Sequence, residues 1–271
     1  MEIVFLGTGG GRINLIKQVR WTGGFRINSQ VANFHVDPGP GALIRSLQLK
    51  QDPLKINALI VTHAHIDHCN DANIMVEAMS DYALKKKGLL IGSKNLLEDP
   101  NERFITKYHI EHCGEIFYPV FKEGPVLRKK FQIEKSRGES AGFEIDFIKV
   151  KHDEQSTFGF KLYLEGKTIG YTSDTNYFPE LGDLFSNCDY LIINVLKPQY
   201  DGIPDHLETA HAIDILLKAQ PKLAIINHMG ISMIRAGPES QARIIEEAAG
   251  VRTIAAKDGQ IIKPGLSEFL V

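Results

Sequence analysis

The chain contains little cysteine, a single tryptophan and no long apolar run. Its 271 residues include three cysteines, Cys69, Cys113 and Cys188, which are too few and too scattered for a disulfide framework, so we expect reduced thiols. No apolar segment approaches the ~20 residues of a membrane-spanning helix, and the first six residues lack the basic start of a secretory signal peptide. These absences predict a cytoplasmic protein with no membrane partner.

An excess of charge of one sign is also missing. The formal net charge is −2 at pH 7, so the chain has no overall basic field of the kind that attracts nucleic acid. Apolar residues make up 43% of the chain, which is ordinary for a globular protein. The length and composition fit one large domain, and we predict a single domain over residues 1–271.

Short apolar runs typical of strands recur along the chain, and helical patterns lie between them. The strand-like runs are at residues 2–6, 31–36, 58–61, 88–92, 115–119, 143–150, 158–164, 167–172, 190–194, 223–227 and 260–262. The helical patterns are at residues 74–84, 206–218 and 238–249. This mixture predicts an α/β fold in several layers, and the least regular part, around 98–140, is expected to be an irregular insertion.

Four candidate metal ligands fall within six residues, directly after the apolar run 58–61: His63, His65, Asp67 and His68. Residues two apart on a strand point to the same face, so His63 and His65 can chelate one cation together. Once the chain turns, Asp67 and His68 can reach a second cation beside it. Imidazole and carboxylate groups are ligands that zinc prefers, so the stretch predicts a metal site.

Further candidate ligands stand where other apolar runs end. His152, Asp174 and His228 each follow such a run directly, and Asp37 follows the run 31–36. Each residue alone could be an ordinary polar residue that begins a loop. Together with the first cluster, they predict that several strand ends supply one metal centre.

This ordered set resembles the metallo-β-lactamase superfamily along almost the whole chain, and the Ala256-Lys257-Asp258-Gly259 segment resembles the family's final strand and turn. The resemblance implies a four-layer αβ/βα sandwich with a dinuclear metal site at one edge. It implies that His63, His65 and His152 hold one metal and that Asp67, His68 and His228 hold the other. Asp174 would then bridge both metals, and Asp37 would hold the ligand loops in place.

Two segments resemble the phosphodiesterase branch of that superfamily, which includes ribonuclease Z: Phe5-Leu6-Gly7-Thr8-Gly9 and Asp205-His206-Leu207-Glu208-Thr209. The resemblance implies that His206 acts on the leaving group, alongside Asp67 and Asp174 as catalytic residues. We expect His206 in the first turn of a helix that starts after Pro204 and Asp205, with Glu208 completing a capping box. The alternative is a surface histidine at the helix start.

The implied activity is hydrolysis of a nucleotide or RNA phosphodiester through a hydroxide that bridges two divalent metals, most simply zinc, with manganese or iron as alternatives. Two departures prevent transfer of a specific substrate. Residues 120–140 contain one Gly-Pro pair rather than a long Gly/Pro-rich arm for transfer RNA, and no cysteine precedes Cys69 to build the extra zinc site of the phosphoribosyl cyclic phosphodiesterase.

No acidic residue occurs between Glu2 and Asp37, whereas the same stretch contains basic residues and the only tryptophan. The candidate substrate-binding residues in it are Arg12, Arg20, Trp21 and Arg26. A basic loop with one aromatic residue suits a phosphate group and a base that stacks on the ring. Alternatively, the loop is solvated and Trp21 packs as a lid or as a homodimer contact.

Other patterns allow competing interpretations. The glycines of residues 7–11 resemble a dinucleotide motif only weakly and favour a tight turn near the metals. His109, His112 and Cys113 suggest a second zinc site, but no partner pair occurs elsewhere in the sequence. For the whole protein, the alternatives to a phosphodiesterase are a lactone or thioester hydrolase on the same fold and a catalytically silent metal-binding or sensing protein.

Overall fold

Strands and helices alternate through the residues that the computed structural model describes, which are 1–99, 103–134, 140–199 and 204–263. The strands are β1 (Glu2–Phe5), β2 (Phe25–Asn28), β3 (Asn33–Val36), β4 (Ala58–Val61), β5 (Leu89–Gly92), β6 (Glu115–Phe117), β7 (Val126–Glu134), β8 (Ser140–Lys149), β9 (Phe158–Leu164), β10 (Lys167–Tyr171), β11 (Tyr190–Lys197), β12 (Leu207–Glu208), β13 (Leu223–Asn227), β14 (Thr253–Ala255) and β15 (Ile261–Ile262). The α-helices are α1 (Gly11–Lys17), α2 (Ala42–Gln48), α3 (Ile66–Cys69), α4 (Ala72–Met79), α5 (Lys94–Glu98), α6 (Lys107–His112), α7 (Leu181–Leu184), α8 (Thr209–Ala219), α9 (Ile231–Ala236) and α10 (Pro238–Ala249). A short 3₁₀ helix covers Pro53–Lys55.

Within these ranges the strands form two large sheets. The first has the order β15-β1-β2-β3-β4-β5-β6, and the second has the order β14-β13-β11-β10-β9-β8-β7, with β12 beside β11. Strands β3 to β6 run parallel, as do β10, β11, β13 and β14. Because the carboxyl ends of parallel strands meet at one edge of a sheet, polar residues that follow these strands are brought together there.

Three separate apolar clusters show how the layers are stacked. One cluster lies between the two sheets and contains Phe34 of the first sheet and Phe147 of the second. A second cluster packs helices α8 and α10 on the second sheet, and a third packs α4 and α5 on the first. Three interfaces separate four layers, so the predicted four-layer α/β sandwich is confirmed.

The best predictions are for elements that have strong local signals. Strands β4, β9 and β13 and helix α10 have the predicted bounds, and α10 ends at Gly250, which has the left-handed conformation with a φ of 67°. The helix predicted at 74–84 instead ends at Met79, because residues 81–83 all have positive φ.

The prediction of irregular structure at 98–140 is wrong for much of that range. It contains α6, β6 and β7, and β7 pairs with β8 in an antiparallel register that runs from Val126↔Ile148 to Glu134↔Ser140. Phe131 and Ile133 are buried at alternate positions of β7, while its neighbouring charged residues face outward, so the basic run belongs to a half-buried strand. Residues 100–102 and 135–139 of this range lie outside the described residues.

None of the helices in the part of the chain that the structure describes is long and apolar enough to cross a membrane.

Candidate metal centre

The seven predicted ligands lie close together at the edge where the parallel strands end. Together with His206, they form overlapping groups in which all ligand atoms lie within 4.8 Å of one another. The groups are His63 with His65 and His152, His63 with His68 and Asp174, Asp67 with His68 and His228, and Asp174 with His206 and His228. Four residues each belong to two groups, so two neighbouring cation positions could share ligands: His63, His68, Asp174 and His228.

The individual distances separate two sets of ligands, His63 with His65 and His152, and Asp67 with His68 and His228. In the first set, His65 Nδ1 and His152 Nε2 are 3.2 Å apart. In the second set, His68 Nε2 is 3.0 Å from His228 Nε2, which is 3.3 Å from Asp67 Oδ2. Asp174 lies between the sets.

Asp174 faces several imidazoles. Its Oδ2 is 3.4 Å from His68 Nε2 and its Oδ1 is 3.4 Å from His228 Nδ1. Asn194 Nδ2 donates a hydrogen bond of 2.7 Å to the same Oδ1. Burial opposes ionisation, but the facing imidazoles of His228, His68 and His206 outweigh it and hold the pKa of Asp174 well below its usual value. Asp174 is therefore ionised and suited to bind cations.

Asp37 is the centre of a buried hydrogen-bond network behind the ligands. Its carboxylate accepts from the Thr62 backbone N–H at 2.7 Å, from Thr62 Oγ1 at 2.9 Å and from the Tyr171 hydroxyl at 2.8 Å. It also faces His68 Nδ1 at 2.9 Å, which therefore carries a proton. The other ring nitrogen, His68 Nε2, faces the second set, where it could bind a cation on losing its proton.

The same network fixes the tautomer of His63. Since Thr62 Oγ1 donates to Asp37, it accepts from His63 Nδ1 at 3.1 Å. His63 Nε2 then carries the lone pair, and this atom is buried without a hydrogen-bond partner among the described residues. Burial lowers the pKa of His63 well below its usual value, so the ring is neutral.

These orphaned atoms show that the residues fit a cation. Besides His63 Nε2, His152 Nδ1 and His228 Nδ1 are buried without a hydrogen-bond partner in the described part of the chain. An unsatisfied buried polar atom is costly unless a partner such as a metal satisfies it. Neutral imidazoles and ionised carboxylates are the donor set that zinc and similar ions take.

A second carboxylate contacts the ligands from the outside. Asp153 lies 3.1 Å from His152 Nε2 and 3.4 Å from His65 Nε2, and its side chain is 54% exposed. Next to it, the Glu154 carboxylate accepts a hydrogen bond from the Ala64 backbone N–H, which ties the loop after β8 to the loop after β4.

The glycine-rich turn after β1 packs against the site, as predicted. A side chain at Gly10 would overlap the His228 imidazole, so only glycine allows the loop to lie this close. Gly11 N–H donates to Asp67 Oδ2 at 3.0 Å. Asp258 accepts from the Thr8 and Trp21 backbone N–H groups at 2.9 and 2.8 Å, so the final turn holds this loop in place.

His206 lies at the site, but not in a helix. It is in the bend before β12, and α8 begins only at Thr209, with Glu208 in the N-cap position. The predicted capping box is therefore wrong, since Asp205 accepts from Asn176 instead of capping the helix. His206 Nδ1 is 3.4 Å from Asp174 Oδ2. Burial lowers the pKa of His206 to about 4, so the ring is neutral at neutral pH in this arrangement.

Two arginines of the basic stretch between Glu2 and Asp37 use their guanidinium groups for contacts within the fold. Arg26 is buried, and its guanidinium donates to the backbone carbonyls of Gln51 and Asp52, so its predicted role in substrate binding is wrong. Arg20 donates to Thr8 Oγ1 and to the Ala256 carbonyl at 3.2 and 3.1 Å.

Trp21 and Arg12 differ in whether they are free to contact a substrate. The Arg45 guanidinium lies 3.8 Å from the centre of the Trp21 ring, which occupies that face of the ring and disfavours stacking with a base. Arg12 is exposed and lines a cavity of about 800 Å³ beside the ligands. It is thus the predicted basic residue that remains well placed for substrate.

The other histidines have local roles. His109 contacts Thr106 and Glu77 and belongs to none of the candidate metal groups found among the described residues, and the same is true of His112 and Cys113. His211 is stacked on the Tyr177 ring with an interplanar angle of 3°. His35 is a strand residue, as expected.

Several important residues were not predicted from the sequence. Thr62, Tyr171 and Asn194 build the network, but each lies inside or just after an ordinary apolar run and carries no local signal. Asp153 could have been suggested by its position directly after His152. Arg235, which lines the same cavity as Arg12, lies on the helix that follows the last predicted ligand strand.

Comparisons with known proteins agree with this geometry. A family model described as Beta-lactamase superfamily domain matches residues 32–229, which include the seven candidate ligands and Asp37. Uncharacterized protein MJ1374 of Methanocaldococcus jannaschii is 37% identical over 268 residues, covering 96% of this chain and 93% of that protein. Ribonuclease Z of Thermococcus kodakarensis is 25% identical over 302 residues, covering 97% and 94%. The metallo-β-lactamase fold protein YhfI from Bacillus subtilis matches with a TM-score of 0.73 at 18% identity, covering 96% and 98%.

Proposed function

Because this chain belongs to the β-lactamase superfamily and has ribonuclease Z relatives, we propose that it is a metal-dependent phosphodiesterase with a two-metal site. The observation that carries the proposal is the arrangement of overlapping ligand groups, with the Asp174 carboxylate in contact with both His68 and His228. His63, His65 and His152 would hold one metal, and Asp67, His68 and His228 the other. Zinc suits this donor set best, and manganese or iron would also fit it.

The residues around the site support hydrolysis. When bound, two divalent metals would lower the pKa of a water molecule and polarise the phosphoryl oxygens. Asp67 accepts from the Gly11 backbone N–H, so it links the glycine turn to the reacting centre. His206, whose ring is neutral, would donate its N–H as a hydrogen bond to the leaving oxygen and so stabilise the charge that develops there as the bond from phosphorus breaks.

A substrate assay of His206 variants tests the proposal. Metal-reconstituted protein should hydrolyse bis-p-nitrophenyl phosphate and a cyclic nucleotide. We expect His206→Ala to retain its metals and to lower kcat by roughly 10²–10⁴ on the cyclic nucleotide, whose leaving alkoxide needs a proton. The loss should be much smaller on bis-p-nitrophenyl phosphate, because p-nitrophenolate leaves without one.

A matched control is His211→Ala, since His211 lies five residues further on, away from the ligands, against Tyr177. It should leave both rates within about twofold of the original protein. Equal losses on the two substrates by His206→Ala, with metal content intact, would show that His206 positions the substrate and does not assist the leaving group. No hydrolysis of either diester by the reconstituted protein would refute the proposed activity.

The cavity beside the ligands supports a second candidate, a lactone or thioester hydrolase. Its walls include apolar side chains such as Ile13, Leu196 and Ile231. A neutral lactone that is turned over faster than any diester, with a rate independent of ionic strength, would favour this second activity.

A further inference from the structure

The cavity beside the ligands has the size of a small-molecule site. Its volume is about 800 Å³, and it is bordered by His65, Asp67, His152, Asp174 and His206. Pockets of roughly 300–1,000 Å³ enclose single small ligands. A substrate in this cavity would therefore reach the candidate metal ligands directly.

Two arginines in the cavity wall are available to bind an anion. Arg12 lies on α1 and Arg235 on α9, and both side chains are exposed. Neither guanidinium has a hydrogen bond or an ion pair to another residue in the described ranges. The carboxylates of the wall, in contrast, have partners: Asp205 accepts from Asn176, and Asp153 contacts His65 and His152. Unpaired guanidinium groups favour a substrate with a negative charge.

The apolar part of the wall is aliphatic. It is formed by Ile13, Leu15, Ile66, Leu196 and Ile231, together with Pro204. Among the described residues that line the cavity there is no phenylalanine, tyrosine or tryptophan. Proteins that hold nucleobases commonly stack them on aromatic rings, and the face of Trp21 is covered by Arg45. An aliphatic wall is instead suited to an alkyl group.

Two of these aliphatic residues leave at least half of their surface in water. Ile13 is 61% exposed and Ile66 is 51% exposed, on the neighbouring helices α1 and α3. Burial of such surface by a bound alkyl chain would be favourable. The exposure also means that either side chain can be changed without opening a hole in the core.

We propose that the cavity binds a small phosphodiester with an aliphatic alcohol group, with Arg12 and Arg235 facing its negative charge and Ile13 and Ile66 covering its alkyl chain. The inference rests on the proposed phosphodiesterase activity. In the reaction, water adds to phosphorus, the bond to the leaving oxygen breaks, and the leaving oxygen takes up a proton. The alkyl group stays on the phosphomonoester product when the other alcohol leaves.

The test compares two diesters with the same leaving group, methyl p-nitrophenyl phosphate and hexyl p-nitrophenyl phosphate. Each buried methylene strengthens binding by about fourfold, so we expect kcat/KM to be at least about tenfold higher for the hexyl ester. Ile13→Ser should remove most of this preference, measured as the ratio of the two kcat/KM values. Ile16→Ser is the control, because Ile16 lies on the same helix and is 82% exposed but does not line the cavity.

The arginines are tested with the same two esters. Arg12→Ala and Arg235→Ala should each raise KM by about fivefold or more for both esters and change kcat little. Arg243→Ala, which removes an exposed arginine of α10 outside the cavity, is the control. Calorimetric binding of the unreactive hexyl methylphosphonate should weaken in the cavity variants and remain unchanged in both controls.

The outcomes separate this inference from the proposed activity. If both esters are hydrolysed equally well and the Ile13 and arginine variants behave like their controls, the inference is wrong and the phosphodiesterase stands. If an RNA precursor is cleaved with a far higher kcat/KM than the hexyl ester, the small-substrate assignment is overturned. If neither ester is hydrolysed but hexyl methylphosphonate binds with the expected variant pattern, the cavity is correctly assigned and the activity is not.

Discussion

Two carboxylates contact the candidate ligands in different ways. Asp37 is buried behind the site and accepts from Thr62, Tyr171 and His68, so it connects β3 with the loop after β4, with β10 and with α3. Asp153 lies at the mouth, where its side chain is 54% exposed, and it contacts His65 and His152 at 3.4 and 3.1 Å. Both carboxylates face imidazoles, but only Asp37 is held by a set of buried donors.

The difference shows which side of the centre the protein keeps rigid. A buried carboxylate surrounded by donors cannot turn away without leaving several of them unsatisfied. An exposed carboxylate is screened by water and salt and can exchange its partners for water. We therefore expect His63 and His68 to be fixed before any cation binds, whereas His65, whose side chain is 38% exposed, keeps more freedom at the entrance.

The largest expected effect on metal affinity comes from removing the Asp37 carboxylate. Asp37→Ala leaves Thr62, Tyr171 and His68 without their acceptor, so the His68 ring loses its fixed orientation and tautomer. We expect metal affinity to fall by about 10–100-fold, measured by competition with a chromophoric chelator. Asp37→Asn is the matched control, because it retains one carbonyl acceptor and should lose less. Unchanged affinity in the alanine variant would contradict the role of the network.

A smaller effect is expected from replacing His35, which lies on β3 two residues before Asp37. This change should alter the stability of the fold but not metal binding. His35 is fully buried, its Nε2 lies 2.9 Å from the Gly23 carbonyl, and burial lowers its pKa from 6.5 to about 3. The unfolded chain therefore binds a proton below pH 6.5 that the folded chain does not, and the free energy of unfolding falls as the pH is lowered.

We expect His35→Gln to reduce this loss of stability between pH 6.5 and pH 5, as measured by urea unfolding at several pH values, while metal affinity stays the same. A pH dependence identical to that of the original protein would show that His35 does not contribute to it.

The smallest expected effect is that of removing Asp153. Because the Asp153 carboxylate is 54% exposed to solvent, Asp153→Ala should weaken metal binding by about fivefold or less in the same chelator competition. A loss as large as that of Asp37→Ala would break the distinction between the buried and the exposed carboxylate.

The predictions from sequence were best where a local pattern determines the structure. The His63–His68 run follows an apolar strand, and that strand has the predicted bounds because four consecutive apolar residues are buried in a parallel arrangement. The family predicted from Asp37, this run and the later ligands is confirmed by the match over residues 32–229.

The errors have a common physical origin in contacts between distant parts of the chain. Arg26 looked like a substrate residue, but the fold brings Gln51 and Asp52 to its guanidinium. His206 looked like a helix residue, but pairing of β12 with β11 extends the chain before α8 begins. Such contacts depend on how the sheets assemble, which residue spacing along the chain does not encode.

The most direct test of the two-metal site is the number of metal ions per chain. Protein purified without chelator and reconstituted with zinc should contain close to two equivalents by elemental analysis. Asp67→Ala should retain close to one, since it keeps His63, His65 and His152 and loses a carboxylate of the second set. A reproducible value near zero for the reconstituted original protein would contradict the two-metal site and the hydrolytic activity proposed from it.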